Sequence, residues 1–338
     1  MLALAALTLA GLLAPEPDLQ VRVDRRTREV VLTIGPFDVP GQAPGARHSH
    51  GSELAGHDLP LFPFAWPVSG WGNGFRYLIR DGTGRELPRQ MIHHLNVINR
   101  SRRQLVEPVY ERTFAIGQET GDVQLPPSIG VRLEEGSDMA VHLAFENPGT
   151  EPLKGVTVVL RVRYLPGNMV PGPRSVNPVP LDVAYRPGGS NSFDLPPGMN
   201  RFEREFVFPI SGRMLALGAH LHDHARSISL TDVETGRVMA TLQTRRDSLG
   251  RVRSVEREIY GIYGQGLRIR AGRRYRVTVE YENPSGQTIE LGGMGILGGL
   301  FMADRPDKWP AIDRSDPGIR ADEAMLARRR SPGHYHAH

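Results

Sequence analysis

The chain has 338 residues, 39% of them hydrophobic, which is enough for two cores of ordinary size because a single core stops growing near about 250–300 residues. It has no cysteine, which excludes a disulfide framework, thiol catalysis, iron–sulfur clusters, thiolate zinc sites and a lipoprotein anchor, so a metal would have to be held by His, Met or carboxylate. The formal charge is +4, the lysines are Lys154 and Lys308 alone, and arginine pairs such as Arg25-Arg26, Arg102-Arg103, Arg245-Arg246 and Arg273-Arg274 are interleaved with acidic and apolar residues. That pattern predicts solvated strand faces and turns, and no nucleic-acid partner.

Residues 1–14, MLALAALTLAGLLA, form an apolar run too short to span a bilayer comfortably but as long as a signal-peptide core, and Pro15-Glu16-Pro17-Asp18 follows. Residues 1–18 are therefore expected to direct export to the periplasm or beyond, with no membrane span in the mature chain. From there on, short segments rich in Val, Ile, Leu, Tyr and Phe alternate with polar residues and end at Gly, Pro, Asn or Asp. They lie at 28–34, 74–80, 90–98, 139–146, 156–165, 202–208, 227–233, 238–243 and 275–282. Period-2 patterning with such punctuation predicts antiparallel, half-buried strands, and hence an all-β fold of two consecutive antiparallel β-sandwich, jelly-roll-like domains with a metal-lined cleft between them. An irregular stretch at 35–73 interrupts the first sandwich. The segment 166–200 is dense in Pro, Gly, Asn and Ser and suits an extended connection. These features predict a first domain at 19–190, a second at 191–305 and a loosely ordered tail at 306–338, with helical periodicity only at 319–330. The protein is expected to be a monomer.

The 12 histidines fall in groups: His48, His50 and His57; His93 and His94; His142; His220, His222 and His224; and His334, His336 and His338. In RMLALGAHLHDHAR, residues 220, 222 and 224 share one face of an extended chain, so neighbouring imidazoles can converge on one ion. Imidazole suits copper, zinc, iron and nickel. In QMIHHLNVINR, the adjacent His93 and His94 point to opposite faces of an ideal strand, and reach one metal only if the strand is bulged or ends there. His142, in MAVHLAFEN, reads by itself as a core histidine. No Gly-x-Ser-x-Gly elbow, His-Glu-x-x-His motif or phosphate-cradling loop is present.

Taken together, a His-His pair, a strand His about fifty residues on, a His-x-His beyond a Pro-rich connection and a Gly-rich segment with Met resemble the copper type II, ascorbate-dependent monooxygenases. These are the peptidylglycine α-hydroxylating and dopamine β-monooxygenase family. Leu125-Pro126-Pro127-Ser128-Ile129-Gly130-Val131-Arg132 is similar to the stretch preceding that family's third histidine. Leu221-His222-Asp223-His224, and Tyr281-Glu282-Asn283-Pro284 leading to Gly292-Gly293-Met294-Gly295-Ile296-Leu297, look like its second domain. The resemblance covers residues 26–305.

It implies two copper ions per chain, one held by His93, His94 and His142 and storing an electron, the other held by His222, His224 and Met294 and activating dioxygen. The product would be a hydroxylated C–H bond of a small-molecule or peptide substrate, with ascorbate or a similar reductant. Soft thioether ligation favours Cu(I). Met302 is a second candidate for the thioether, but Met294 fits the motif position and its flanking glycines let the backbone approach a site closely. The family's methionine is preceded by acidic residues and followed by cysteine, and the family has disulfides; none of these is present here. His220 is a reserve ligand or a neighbour of the ligands, and His48, His50 and the C-terminal histidines would capture metal only adventitiously. Two other readings are a non-catalytic, exported copper-handling protein on the same scaffold, and a β-sandwich recognition module with surface histidines.

Overall fold

A computed structural model describes residues 18–41, 57–117, 119–187, 189, 191–261 and 266–328. The signal-like segment 1–17 and His48, His50, His334, His336 and His338 lie outside these residues. The fold is all-β, two antiparallel sandwiches in succession. In the first, one sheet places Leu19–Asp24, Glu29–Val39, Leu153–Pro166, Gly70–Arg80 and Ile129–Leu133 side by side. The facing sheet runs His57–Asp58, Asp138–Phe145, Ile92–Arg103 and Tyr110–Gly117. The alternation acts as expected: Val156, Val158, Leu160 and Val162 of one long strand all turn inward, where each apolar side chain contributes about 1.5–3 kcal/mol by leaving water. Leu95, Val97, Val141 and Leu143 close the core from the other sheet.

In the second sandwich, one sheet places Asn177–Asp182, Gly295–Ala303 and Gly212–Leu221 in order. The other runs Gly198–Val207, Arg274–Asn283, Ala225–Asp232, Arg237–Arg246 and Val252–Val255. Phe208, Leu221, Ile228, Val277, Val279, Leu297 and Phe301 fill the space between them.

Three boundaries differ from the sequence expectation. The strand Asn177–Asp182 pairs with Gly295–Ala303 and buries Val179 and Leu181 in the second core, so that domain begins by residue 177 and not at 191. Prolines 178 and 180 do not prevent this, because the strand is the edge of its sheet, where a missing N–H is tolerated. Within the supposedly irregular 35–73 stretch, the first-sandwich strand Glu29–Val39 continues and Phe62–Ala65 pairs with Asp138–Phe145.

The third difference is the tail. Residues 306–328, expected to be loose, cross back to the first sandwich and end in the helix Pro317–Arg328. Ile319 and Leu326 of that helix pack on Leu61, Ile98, Tyr110 and Ala140. Buried Asp322 accepts the Tyr110 N–H at 2.9 Å and pairs with Arg112 through contacts of 2.7 and 2.6 Å.

The face that receives the helix also meets the second domain. Side chains alternate along a strand, so with Leu95 and Val97 inside, His94, Asn96 and Ile98 point outward, and across the pair so do Ala140, His142 and Ala144. Polar contacts surround this junction: Glu107 with Arg204 at 2.7 Å, and Glu111 with Arg102 at 3.1 Å and Asn177 at 3.4 Å. Burial pushes the Glu111 carboxyl up to about 7 against the pull of Arg102. Arg102 also stacks over Trp309, so it is a junction residue and not part of a solvated face. Leu215 and Val176 meet Ile129 and Val131 in a small apolar cluster across the same boundary.

Candidate functional site

The register of Ile92–Arg103 against Asp138–Phe145 pairs His94 with Ala144 and Ile92 with Phe145, leaving His93 as the extra residue of a β-bulge. A bulge turns neighbouring side chains toward the same side. The consequence is direct: the His93 and His94 rings lie with centroids 4.1 Å apart. The condition that the sequence set for this pair is met in the backbone. His142 sits on the same outward face opposite Asn96, one step diagonal to His94, and is buried.

In the second sandwich, Leu217, Ala219 and Leu221 face the core, so His220 faces out of it. The strand ends at Leu221, and His222 stays on the His220 side, with ring centroids 5.5 Å apart. His224 does not follow. A turn intervenes and His224 takes φ 70°, a left-handed conformation that removes it from the i, i+2 alternation. Its ring packs on Gly250, where an added Cβ would come within 2.4 Å of Nδ1. The expectation that 220, 222 and 224 share one face thus holds for the first two, and the turn separates His224.

The two histidine groups meet. His94 and His220 stand edge to face at 5.3 Å between centroids, and His93 lies 6.4 Å from His222. They were expected to face one another across a cleft; here the domains are in ring contact. His94 is half-buried, and its pKa is held well below the usual imidazole value by desolvation and by His93, His220, His222 and His142 around it. A neutral ring is the form that offers a nitrogen lone pair.

His220 has a different environment. Its Nδ1 lies 2.9 Å from Oε1 of Glu119, a residue of the first domain. Burial opposes protonation of His220, but the Glu119 carboxylate and Asp182 outweigh it and raise the pKa. Burial equally opposes the Glu119 charge, yet His220 and Arg257 hold its carboxyl below the usual range. Gly117 makes room for the pair: a Cβ there would lie 2.8 and 2.9 Å from the Glu119 oxygens and 3.0 Å from His220 Nδ1. The other ring nitrogen of His220, Nε2, is buried and makes no hydrogen bond among the described residues.

Met294 lies between the strands Ile289–Gly293 and Gly295–Ala303, buried but outside the hydrophobic core clusters. The Tyr281 hydroxyl ties it to His222, accepting the N–H of His222 and of Met294, each at 3.1 Å, while donating to the Met294 carbonyl. Met302 instead packs beside Ile129, Val131, Val176 and Leu215 and is accounted for by that apolar contact. Sequence reasoning missed Glu119 altogether, since an isolated Glu in a turn carries no signal. Tyr281 stood inside a quoted motif, but its part as a clasp depends on a neighbour thirteen residues away.

Among the described residues no three His, Asp or Glu side chains are placed to hold one metal ion as they stand. Neighbouring rings nevertheless stand with centroids 4.1, 5.3 and 5.5 Å apart, and the torsion that sets each ring's orientation is a broad one. A cavity of about 620 Å³ lies elsewhere, on the first sandwich beside Arg28, Asn73, Pro126 and Arg163. No helix among the described residues is long and apolar enough to cross a membrane.

No protein-family model matches the chain, and none of the curated proteins compared with it does. Among solved structures it is similar to PNGF-II, at 12% identity and TM-score 0.37, over 80% of this chain and 66% of that one. It is also similar to the major capsid protein P2 of bacteriophage PM2, at 9% identity and TM-score 0.36, over 79% of this chain and 97% of that one. At such scores neither neighbour's role bears on this chain.

Proposed function

We propose that this chain is an exported copper-dependent monooxygenase that hydroxylates a C–H bond of a small-molecule or peptide substrate, using dioxygen and an ascorbate-like reductant. The observation that carries the proposal is the gathering of His93, His94, His220 and His222, drawn from both sandwiches, into one junction. In this reading His93, His94 and His142 hold metal in the first domain, and His222 and Met294 in the second, with His220 in place of His224 as their companion. The donor set fits copper: neutral imidazoles serve both of its oxidation states and a thioether favours the reduced one. Bound there, copper would supply one-electron chemistry and dioxygen activation.

The chain's own groups have definable tasks. Desolvation and the neighbouring histidines lower the His94 pKa and so favour the neutral ring that can ligate metal, and Tyr281 fixes the backbone of His222 against that of Met294. The decisive experiment is metal analysis of the full chain after copper reconstitution, followed by oxygen uptake with ascorbate and a panel of peptide, phenethylamine and hydrocarbon substrates. Two coppers and substrate-stimulated uptake are expected; a chain that takes up no copper overturns the reading. The ring contacts between domains favour one alternative, a copper-handling protein, because they leave little room for a substrate between the histidines. Copper transfer to an acceptor without oxygen uptake would select that alternative.

A further inference from the structure

We infer that Glu119 is the positioning residue for His220, acting across the domain boundary: by accepting the Nδ1 proton it fixes the ring's tautomer and presents Nε2 to His94 and His222. The consequence for metal binding rests on the copper reading above; the tautomer does not.

Three observations converge. The Glu119 carboxylate can only accept, so the nitrogen 2.9 Å away, Nδ1, must be the one carrying hydrogen. The opposite nitrogen, Nε2, is buried without a hydrogen-bond partner among the described residues, in a ring whose centroid lies 5.3 Å from that of His94 and 5.5 Å from that of His222. A buried polar atom with no partner is ordinarily unfavourable and calls for a use. Finally, the backbone is shaped for the pair. Gly117 stands directly opposite His94 in the strand pairing, and any side chain there would collide with both Glu119 and His220. Thr120 closes the turn that aims Glu119, its hydroxyl accepting the Gly117 N–H at 3.0 Å. A carboxylate on the far nitrogen of a ligand histidine orients the ring and makes the near nitrogen more basic. Here that carboxylate belongs to the other sandwich, so the readiness of the second-domain histidine depends on the docking of the first.

The test uses the full chain and reads the imidazole nitrogens by ¹⁵N–¹H NMR before any metal is added, with His220→Ala to assign the signal. Wild type is expected to show His220 protonated at Nδ1 with an exchange-protected proton. Glu119→Ala should lose that proton, Glu119→Gln should keep it because the amide oxygen still accepts, and Gly117→Ala should lose it by crowding the pair. Titration with Cu(I) and Cu(II) against a competing chelator should then show binding weakened about 10–100-fold in Glu119→Ala and substantially less in Glu119→Gln. Retention of the Nδ1 proton in Glu119→Ala, or equal weakening by Ala and Gln, overturns the inference. If wild type binds no copper, the copper reading fails, and the positioning role is still decided by the tautomer.

Discussion

The rings of His94 and His220, carried by different sandwiches, stand edge to face with their centroids 5.3 Å apart. Neither belongs to a core: each is the outward residue of a strand whose neighbours point inward, and the two outward faces are pressed together. The junction is built from groups that need partners, so its stability and its chemistry are linked, and single substitutions separate them.

The ligand assignment in the second sandwich is the first test. His220→Ala and His222→Ala should each lose bound copper from that domain, while His224→Ala should retain it, because the left-handed turn places His224 against Gly250. Metal content of the purified variants after reconstitution distinguishes these outcomes. Loss of copper in His224→Ala with retention in His220→Ala would restore the pairing expected from the sequence.

Tyr281→Phe removes one oxygen atom and leaves three buried backbone groups, the N–H of His222 and both polar groups of Met294, without their partner. Each such group costs about 1–3 kcal/mol, so a total loss of about 2–4 kcal/mol in folding stability is expected, allowing for relaxation. Chemical denaturation measures it. Met294→Leu, by contrast, should leave stability nearly unchanged and weaken Cu(I) more than Cu(II), since only the thioether discriminates between them.

Asp182 gives a pH dependence of definite sign. Burial raises its carboxyl pKa to about 7, opposed by the Ala184 N–H and Arg204, against an ordinary value of 3.8. Between those values the folded chain binds the proton more tightly than the unfolded one, so the favourable contribution is complete below 3.8 and is lost as pH rises through 7. Asp182→Asn keeps an acceptor for the Ala184 N–H but cannot ionise. It should match wild type near pH 3.5 and exceed it at pH 8 by on the order of 2–4 kcal/mol, read from denaturation midpoints across that range.

The C-terminal helix is held by Asp322, which is 3% exposed and bonded to Arg112 and to the Tyr110 N–H. Asp322→Ala leaves the Arg112 guanidinium without its buried partner, and a loss of about 3–5 kcal/mol is expected by calorimetry or denaturation. Asp322→Asn should lose less, because one acceptor survives. Equal stability of Asp322→Ala and wild type would mean that the helix adds nothing to the fold.

The sequence by itself determined the all-β class and most of the strands, because alternation at period 2 is a local property: the segments at 156–165, 227–233 and 275–282 lie within or largely overlap the strands Leu153–Pro166, Ala225–Asp232 and Arg274–Asn283. It also grouped the histidines, and their order along the chain, through its resemblance to the copper monooxygenases, marked the pairs as candidate ligands. What it did not contain is which members of those pairs meet. That was decided by two backbone irregularities, the bulge at His93 and the left-handed residue at His224, each of which shifts the alternation by one residue and so sends a side chain to a different face. The placement of Asn177–Asp182, the docking of the C-terminal helix and the Glu119–His220 contact were likewise invisible along the chain. Their partners lie 101 or more residues away, and only tertiary packing brings them within hydrogen-bond distance: strand pairing within the second sandwich, the helix on the first, and the contact between the two sandwiches for Glu119 and His220.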